Sequence, residues 1–248
     1  MLFLSNMDVQ KGIQIFGASL FLEKSKTLII SDLHIGQEYS MKKSGFLIPL
    51  NHYKEILENT KKILETSKPS RVIINGDLKH DFGKINNDEW DKITQYLKEL
   101  KKHSPVIVIK GNHDALLQPV TNKLGIKLVS YYFEDETSIY VCHGDRIPTN
   151  PEFQKAKTII IGHEHPAIRL SNGARVETYK CFIKGKFERK NLIVMPSLNP
   201  INEGSDVLSE KMLSPFLKES DIKKFEAYIL GEDEVFYFGK IKNLKKTL

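Results

Sequence analysis

The chain is poor in cysteine: its 248 residues include only two, Cys142 and Cys181. Two thiols so far apart supply neither a disulfide framework nor a thiolate zinc site. Both are expected to be free, Cys142 packed inward beside His143. Long apolar runs are also missing, none approaching the roughly 20 residues that cross a bilayer, so no membrane partner is expected. Met1 to Gln10 is short and mixed and leads into charged and polar residues, which does not read as a secretion signal. No internal repeat, low-complexity tract or linker interrupts the chain, so one domain over residues 1–248, working in the cytoplasm, is the expectation. The sequence does not speak to the oligomeric state.

Charge is the first positive feature, a formal net +6. Such an excess attracts polyanions only if it gathers on one face. Much of the lysine falls in helix-like stretches such as Lys98 to Lys102, which usually form a solvated face. A second basic stretch holds Arg169, Arg175, Lys180, Lys184, Lys186, Arg189 and Lys190. It reads either as a track for a phosphate backbone or as a solvated hairpin. Few aromatics interleave with these bases, so stacking on single strands is not signalled.

The most informative stretch is Val106-Ile107-Val108-Ile109-Lys110-Gly111-Asn112-His113-Asp114, an apolar run that stops at polar residues. β-Branched residues in a short run suit a strand buried on both faces. Gly111 then permits a turn where a side chain would crowd. Taken alone, Asn112-His113-Asp114 is equally well a capped turn or part of a site.

The same design recurs along the chain. Thr27 to Ile30 runs into Ser31-Asp32-Leu33-His34, where extended backbone would point Asp32 and His34 the same way. Arg71 to Ile74 ends in Asn75-Gly76-Asp77-Leu78-Lys79-His80, and Ser138 to Cys142 in His143-Gly144-Asp145. Thr158 to Ile161 ends in Gly162-His163-Glu164-His165. Gly12–Phe16, Ala18–Leu22, Ile126–Val129 and five later segments (174–176, 181–183, 192–195, 225–230, 234–238) read as further strands. Between them lie amphipathic helices, one with Asn51 as its cap and Tyr53, Ile56, Leu57, Ile63 and Leu64 on one face. Another starts with Asn86 and Glu89 at capping-box spacing. A short helix runs to Leu124 before Gly125, and Ser214-Pro215 opens another. Gln37 to Leu50 reads as a helical turn and a loop able to act as a lid. Strands alternating with helices indicate an α/β fold, in which strand ends gather on one sheet edge.

Collected, the strand ends offer Asp32, His34, Asp77, Asn112, His113, His143, His163 and His165. A lone histidine on a strand is usually structural, but independent placement at five strand ends is a poor account of this set. Imidazole and oxygen ligands without thiolate suit manganese, iron or zinc. Seven of these residues would fill two adjacent coordination spheres, and a bridging carboxylate holds such ions about 3.5 to 4 Å apart. His80 would meet a phosphate or fix its own loop, and Asp145 would pair with Arg146.

In this order, Asp-x-His, Gly-Asp, Gly-Asn-His-Asp, His and Gly-His-x-His, the motifs resemble those of the calcineurin-like metallophosphoesterases. The resemblance spans Ser31 to His165. It implies a four-layer α/β/β/α sandwich with mixed sheets and a binuclear centre of two divalent ions, manganese first, with iron, nickel or zinc as alternatives. It further implies that Asp32, His34 and His165 bind one ion, that Asn112, His143 and His163 bind the other, and that Asp77 bridges. His113 would contact the substrate phosphate and protonate the leaving group, oriented by Asp114. Segments 31–36, Gly45 to Pro49, 76–80 and Met195-Pro196-Ser197-Leu198-Asn199-Pro200 resemble the SbcD-related and DNA-ligase-associated phosphoesterases. That implies a phosphodiester substrate, with nuclease action on DNA or RNA ends as the alternative. The stretch beyond His165 leaves little room for a separate DNA-capping domain. A non-catalytic binding scaffold of the same fold would be free to lose these residues, yet all are present.

Overall fold

Short runs of Ile, Val and Leu build two sheets that stack on each other, each covered outside by helices. The computed structural model describes residues 6–47, 51–83, 87–171, 173, 175–232 and 234–244. The first sheet orders β1 (Asn6–Gln10), β2 (Ile13–Phe16), β3 (Ser19–Leu22), β4 (Thr27–Ile30), β5 (Arg71–Asn75), β6 (Val106–Ile109) and β7 (Lys127–Val129) side by side. It is antiparallel from β1 to β4 and parallel from β4 to β7. The second contains β8 (Tyr132–Glu134), β9 (Ile139–Val141), β10 (Thr158–Ile161), β11 (Pro166–Ser171), β12 (Val176–Phe187) and β13 (Lys190–Val194). β14 (Ser205–Asp206), β15 (Glu226–Leu230) and β16 (Val235–Lys240) complete it. There β9, β10 and β13 run parallel, whereas β11, β12, β15 and β16 form antiparallel ladders. Mixed sheets in an α/β sandwich are as expected.

The period of two along each strand assigns the layers. In β4, Leu28 and Ile30 face the helices while Ile29 faces the other sheet, and β5 repeats this with Val72, Ile74 and Ile73. In β10, Ile160 enters the interlayer core and Ile159 and Ile161 the outer one. Successive side chains point to opposite faces, so a strand buried on both needs a continuous apolar run. Helices α2 (His52–Ser67) and α3 (Asn87–His103), with α4 (Gln118–Leu124), cover the first sheet through Ile56, Ile63, Ile93, Leu97 and Val120. Short helices α5 (Pro151–Lys155) and α6 (Pro215–Lys218) bring Phe153 and Phe216 to the second. The helix α1 (Gln37–Lys43) follows the first site loop.

Several local expectations are corrected. Strands β1, β8, β11 and β14 were not anticipated, and β12 runs twelve residues through positions read as short separate strands. The Asn51 side chain makes no capping bond; the His52 N–H donates instead to Glu38 Oε2 at 3.1 Å, because the buried Glu38 carboxylate lies against the start of α2. The Ser214 hydroxyl likewise caps nothing and donates to the Gly144 carbonyl at 2.8 Å. Gly125 ends α4 in the left-handed conformation, as its position predicts. Asn86, Ala174 and residues 48–50, to which a cap, a strand start and part of a lid were assigned, lie outside the described residues.

The interlayer core makes a direct prediction. Ile160 is fully buried there, so Ile160→Ala should cost roughly 2–5 kcal/mol of unfolding free energy with an unchanged denaturant slope. Urea titration followed by circular dichroism checks this, and a loss below about 1 kcal/mol would contradict tight packing between the sheets.

Candidate metal centre

The site forms where the loops after β4, β5, β6, β9 and β10 converge at the seam between the sheets. Backbone hydrogen bonds lock these loops together: Asp32 and His34 N–H donate to the Gly76 and Asp77 carbonyls at 3.3 and 2.9 Å. On the other side, Gly162 N–H donates to the His143 carbonyl at 2.8 Å. The segment after β13 ties both halves, the Ser197 hydroxyl donating to the Asp32 carbonyl at 2.6 Å and the Asn199 amide to the Leu33 carbonyl at 2.9 Å. Glycine is required at these seams for space. A Cβ on Gly111 would lie 2.1 Å from Asp77 Oδ1, and one on Gly162 would lie 2.1 Å from Ser31 Oγ and 2.3 Å from Asp32 Oδ2.

All the strand-end residues meet here. Asp32, His34 and His165 form one cluster with ligand atoms mutually within 4.8 Å; Asp77, His143 and His163 form a second, and His34, Asp77 and His113 a third. Asp77 Oδ2 stands between them, 3.3 Å from His143 Nε2, 3.8 Å from His113 Nε2 and 3.9 Å from His34 Nε2. Asp32 Oδ1 is 3.2 Å from His165 Nε2. Asn112 Oδ1 lies 2.9 Å from His143 Nε2, which also approaches His163 Nδ1 at 3.1 Å. The extended-backbone reading of Asp32 and His34 is corrected: both are left-handed, φ 55° and 43°, as are Asp77, His163 and His165. The side chains still converge because the chain turns sharply as it leaves each strand.

A second correction concerns His113. Asp114 does not touch its ring; the buried carboxylate instead accepts N–H bonds from Gly111 at 2.9 Å, Leu78 at 3.1 Å and Lys79 at 3.3 Å. It welds the loop after β6 to the loop after β5. His113 Nδ1 meets the His80 carbonyl, so the backbone of His80 orients the imidazole. The His80 main-chain N–H donates to the Ile35 carbonyl at 3.0 Å and to Glu89 Oε1 at 3.2 Å, bonds that leave the imidazole out. Its ring also faces inward, with a centroid 5.6 Å from that of His34. Phe82 covers His113 at a ring separation of 3.6 Å. Asp145 pairs with Arg146 at 3.6 Å, and Cys142 is buried in the outer core.

Two contacts have no counterpart in the sequence reading. Asn202 meets His165 Nδ1 at 2.8 Å; asparagine in a polar loop gave no signal beyond turn propensity. Lys180, read as part of a basic track, turns inward and donates to the Ser197 carbonyl at 2.9 Å and to that of Asn199. Around it, Arg175 pairs with Glu177 at 3.0 Å, Lys184 with Glu226 at 3.8 Å, and Lys190 donates to the Gln154 carbonyl at 2.8 Å. Arg175 and Lys184 are thus ion-paired, and Lys180 does not belong to an exposed track.

The donor set fits a cation. Imidazole nitrogens crowd each other, His34 Nε2 against His165 Nε2 at 3.5 Å and His163 Nδ1 against His143 Nε2 at 3.1 Å. Each would keep its lone pair only with a positive charge between them. Burial disfavours charge on Asp77, yet the hydrogen bond and charge of His143 outweigh it and hold the carboxyl below its usual range. Burial likewise opposes charge on His143, but Asp77 and Asp32 push it up to about 9. Burial and the neighbouring His165 take His34 down to about 3. Burial and Asp77 raise Asp114 to about 6. The two carboxylates demand compensation, and a proton on His143 supplies part of it in the metal-free chain.

The family described as calcineurin-like phosphoesterase matches residues 25–231. Pseudomonas putida nuclease MPE has a similar fold, with a TM-score of 0.66 and 17% identity over 94% of this chain and 99% of that one. The E. coli phosphoesterase YfcE aligns at a TM-score of 0.42 and 14% identity over 85% of this chain and 96% of its own. An uncharacterized protein of Acanthamoeba polyphaga mimivirus is 36% identical over 70 residues, 27% of this chain and 5% of that relative's length. No helix among the described residues is long and apolar enough to cross a membrane.

A metal ion held by His143 would displace its proton, whose site is raised to about 9. Metal affinity should therefore rise with pH up to that value, about tenfold per unit for one displaced proton. Calorimetric Mn²⁺ titrations between about pH 6 and pH 8, in buffers of different ionisation enthalpy, should show this rise and the released proton. A flat profile would contradict the assignment of His143 to the metal centre.

Proposed function

The chain belongs to the calcineurin-like phosphoesterase family, and from that premise we propose that it is a phosphodiesterase using two divalent ions, manganese first. The carrying observation is the position of Asp77 Oδ2, within 3.9 Å of imidazoles from both clusters and of His113. In this reading Asp32, His34 and His165 hold one ion, Asn112, His143 and His163 hold the other, and Asp77 is shared. Bound there, the ions supply Lewis acidity that neutralises phosphate charge and acidifies water.

The chain's own groups do the rest. With Nδ1 fixed on the His80 carbonyl, His113 has Nε2 left to carry a proton to the leaving oxygen, the position a general acid requires. Phe82 over the ring limits water access to one face. Asp114 acts through the backbone, holding Gly111 and the Leu78-Lys79 segment in register. His80 presents its ring at the same edge, where it serves as a phosphate contact beside Asn112 and His113. We place this activity in one domain spanning 1–248, in the cytoplasm.

Preference for diesters draws support from the SbcD-related motifs and from likeness of fold to a protein named a nuclease. The same likeness favours a narrower second reading, cleavage of DNA or RNA ends. Near β11 and β12, Arg169, Arg175 and Lys184 are ion-paired, which reduces the positive charge offered to such a substrate. A non-catalytic scaffold is the least supported reading, since every expected ligand and His113 stand together.

Protein stripped of metal and resupplied with Mn²⁺ should hydrolyse bis(p-nitrophenyl) phosphate faster than p-nitrophenyl phosphate. No turnover with Mn²⁺, Ni²⁺, Fe²⁺ or Zn²⁺ would sink the enzyme reading, and a monoester preference would sink the diester reading. Separately, His113→Ala should lower kcat by about 10²–10⁴ while bound metal, measured by elemental analysis, stays constant. Loss of metal along with activity would make His113 a ligand instead of the acid.

A further inference from the structure

A cavity of about 290 Å³ shares the 195–200 segment with the candidate metal centre. Leu198 and Pro200 line the cavity, while Ser197 and Asn199 hold the carbonyls of Asp32 and Leu33. Its other walls include Ala18, Ile63 and Leu230, an apolar surface of the kind small-molecule sites use. Such sites span roughly 300–1,000 Å³ and carry a few placed polar groups, so an occupant here is small.

The placed polar group is Lys180, which lines the same cavity. A lysine ammonium has three N–H donors. Two are engaged, on the carbonyls of Ser197 and Asn199, and no ion pair reaches Lys180 among the described residues. Burial presses this amine down to about 8, against the charge of Glu55, so a buried anion would be welcome beside it. Lys62, Glu232 and Glu234 also line the cavity. Their charges leave no net positive lining apart from Lys180, so anion preference has to come from that residue.

We propose that this cavity binds a small amphiphilic monocarboxylate, its apolar body against Ala18, Ile63, Leu198 and Leu230 and its head on the third N–H of Lys180. The head takes only the free donor, so both carbonyl bonds persist. Filling the void beneath Leu198 restores contacts that an empty space forfeits and restrains the segment that holds Asp32 and His34. Occupancy therefore tightens metal binding. This coupling rests on the metal-centre reading above, whereas the site itself does not.

The test titrates octanoate and 1-octanol calorimetrically into the metal-free full-length protein. Octanoate should bind saturably, one to one, and at least about tenfold more tightly than octanol because of the charged hydrogen bond. Ala18→Phe, which fills the cavity, should abolish both, and Lys180→Met should bring octanoate to the level of octanol. If Lys180→Met does not fold, the wild-type ratio and Ala18→Phe still decide. No saturable octanoate binding, equal affinity for the two probes, or binding unaffected by Ala18→Phe overturns the site. Mn²⁺ titrated with and without saturating octanoate should bind at least about fivefold more tightly with it, and by reciprocity Mn²⁺ should tighten octanoate equally. Octanoate binding with unchanged or weaker Mn²⁺ affinity overturns the coupling alone. Octanoate binding with no Mn²⁺ binding at all overturns the metal-centre reading and leaves the site standing.

Discussion

Two carboxylates, Asp32 and Asp77, are buried at the seam between the sheets, and the architecture around them exists to make that tolerable. Asp32 is fully buried and Asp77 is 2% exposed. Taking an ion out of water costs several kcal/mol even after relaxation, so each charge must be met by fixed donors. Asp32 accepts from the Ser31 hydroxyl at 2.6 Å and from the His163 N–H at 3.1 Å, and Asp77 from the His113 N–H at 3.0 Å. Those donors come from loops of both sheets. The carboxylates thus hold the two halves in register, and only imidazoles and a cation complete the compensation.

The backbone bears the strain of this arrangement. Asp32, His34, Asp77, His163 and His165 all adopt positive φ, a conformation that costs non-glycine residues about 1–3 kcal/mol each when sparsely populated. Asp, Asn and His tolerate it better than branched side chains do. The frame that sustains it is the set of strands buried on both faces, β4, β5 and β10, whose Ile29, Ile73 and Ile160 meet between the sheets. Rigidity in the frame and strain at its edge belong together. A softer strand would let the turn relax and the ligands drift apart.

What the sequence reveals follows from this division. Strands with a continuous β-branched run and a polar stop were legible from Thr27 to Ile30, Val106 to Ile109 and Thr158 to Ile161, whose bounds coincide with the structure. The residues of the candidate site were legible too, because polar stops of the same kind recur at five strand ends. What escaped is whatever depends on the main chain. The partner of His113 Nδ1 is a carbonyl, and a carbonyl leaves no mark in a sequence. Asp114 looks like an orienting carboxylate only if its neighbour is taken as its target, when the loop N–H groups are closer. Lys180 alternates with its neighbours as a solvent-facing residue would, and only the long-range approach of the 195–200 segment turns it inward.

The imidazoles of the site differ in what holds their Nδ1 atoms. The Asn202 amide nitrogen donates to His165 Nδ1 at 2.8 Å, which leaves the ring proton on Nε2, facing Asp32 Oδ1 at 3.2 Å in the metal-free chain. His113 is held the other way, with Nδ1 donating to the His80 carbonyl and Nε2 facing a carboxylate. The two rings are therefore held through opposite Nδ1 roles, and His113 carries a proton on Nε2 only as the imidazolium. His165 Nε2 approaches Asp32 at 3.2 Å, whereas His113 Nε2 stands 3.8 Å from Asp77 with its ring beneath Phe82. Asp114 fixes Gly111 against the loop after β5, and in the proposed reading that makes it a positioning residue for His113 although it makes no hydrogen bond to the ring.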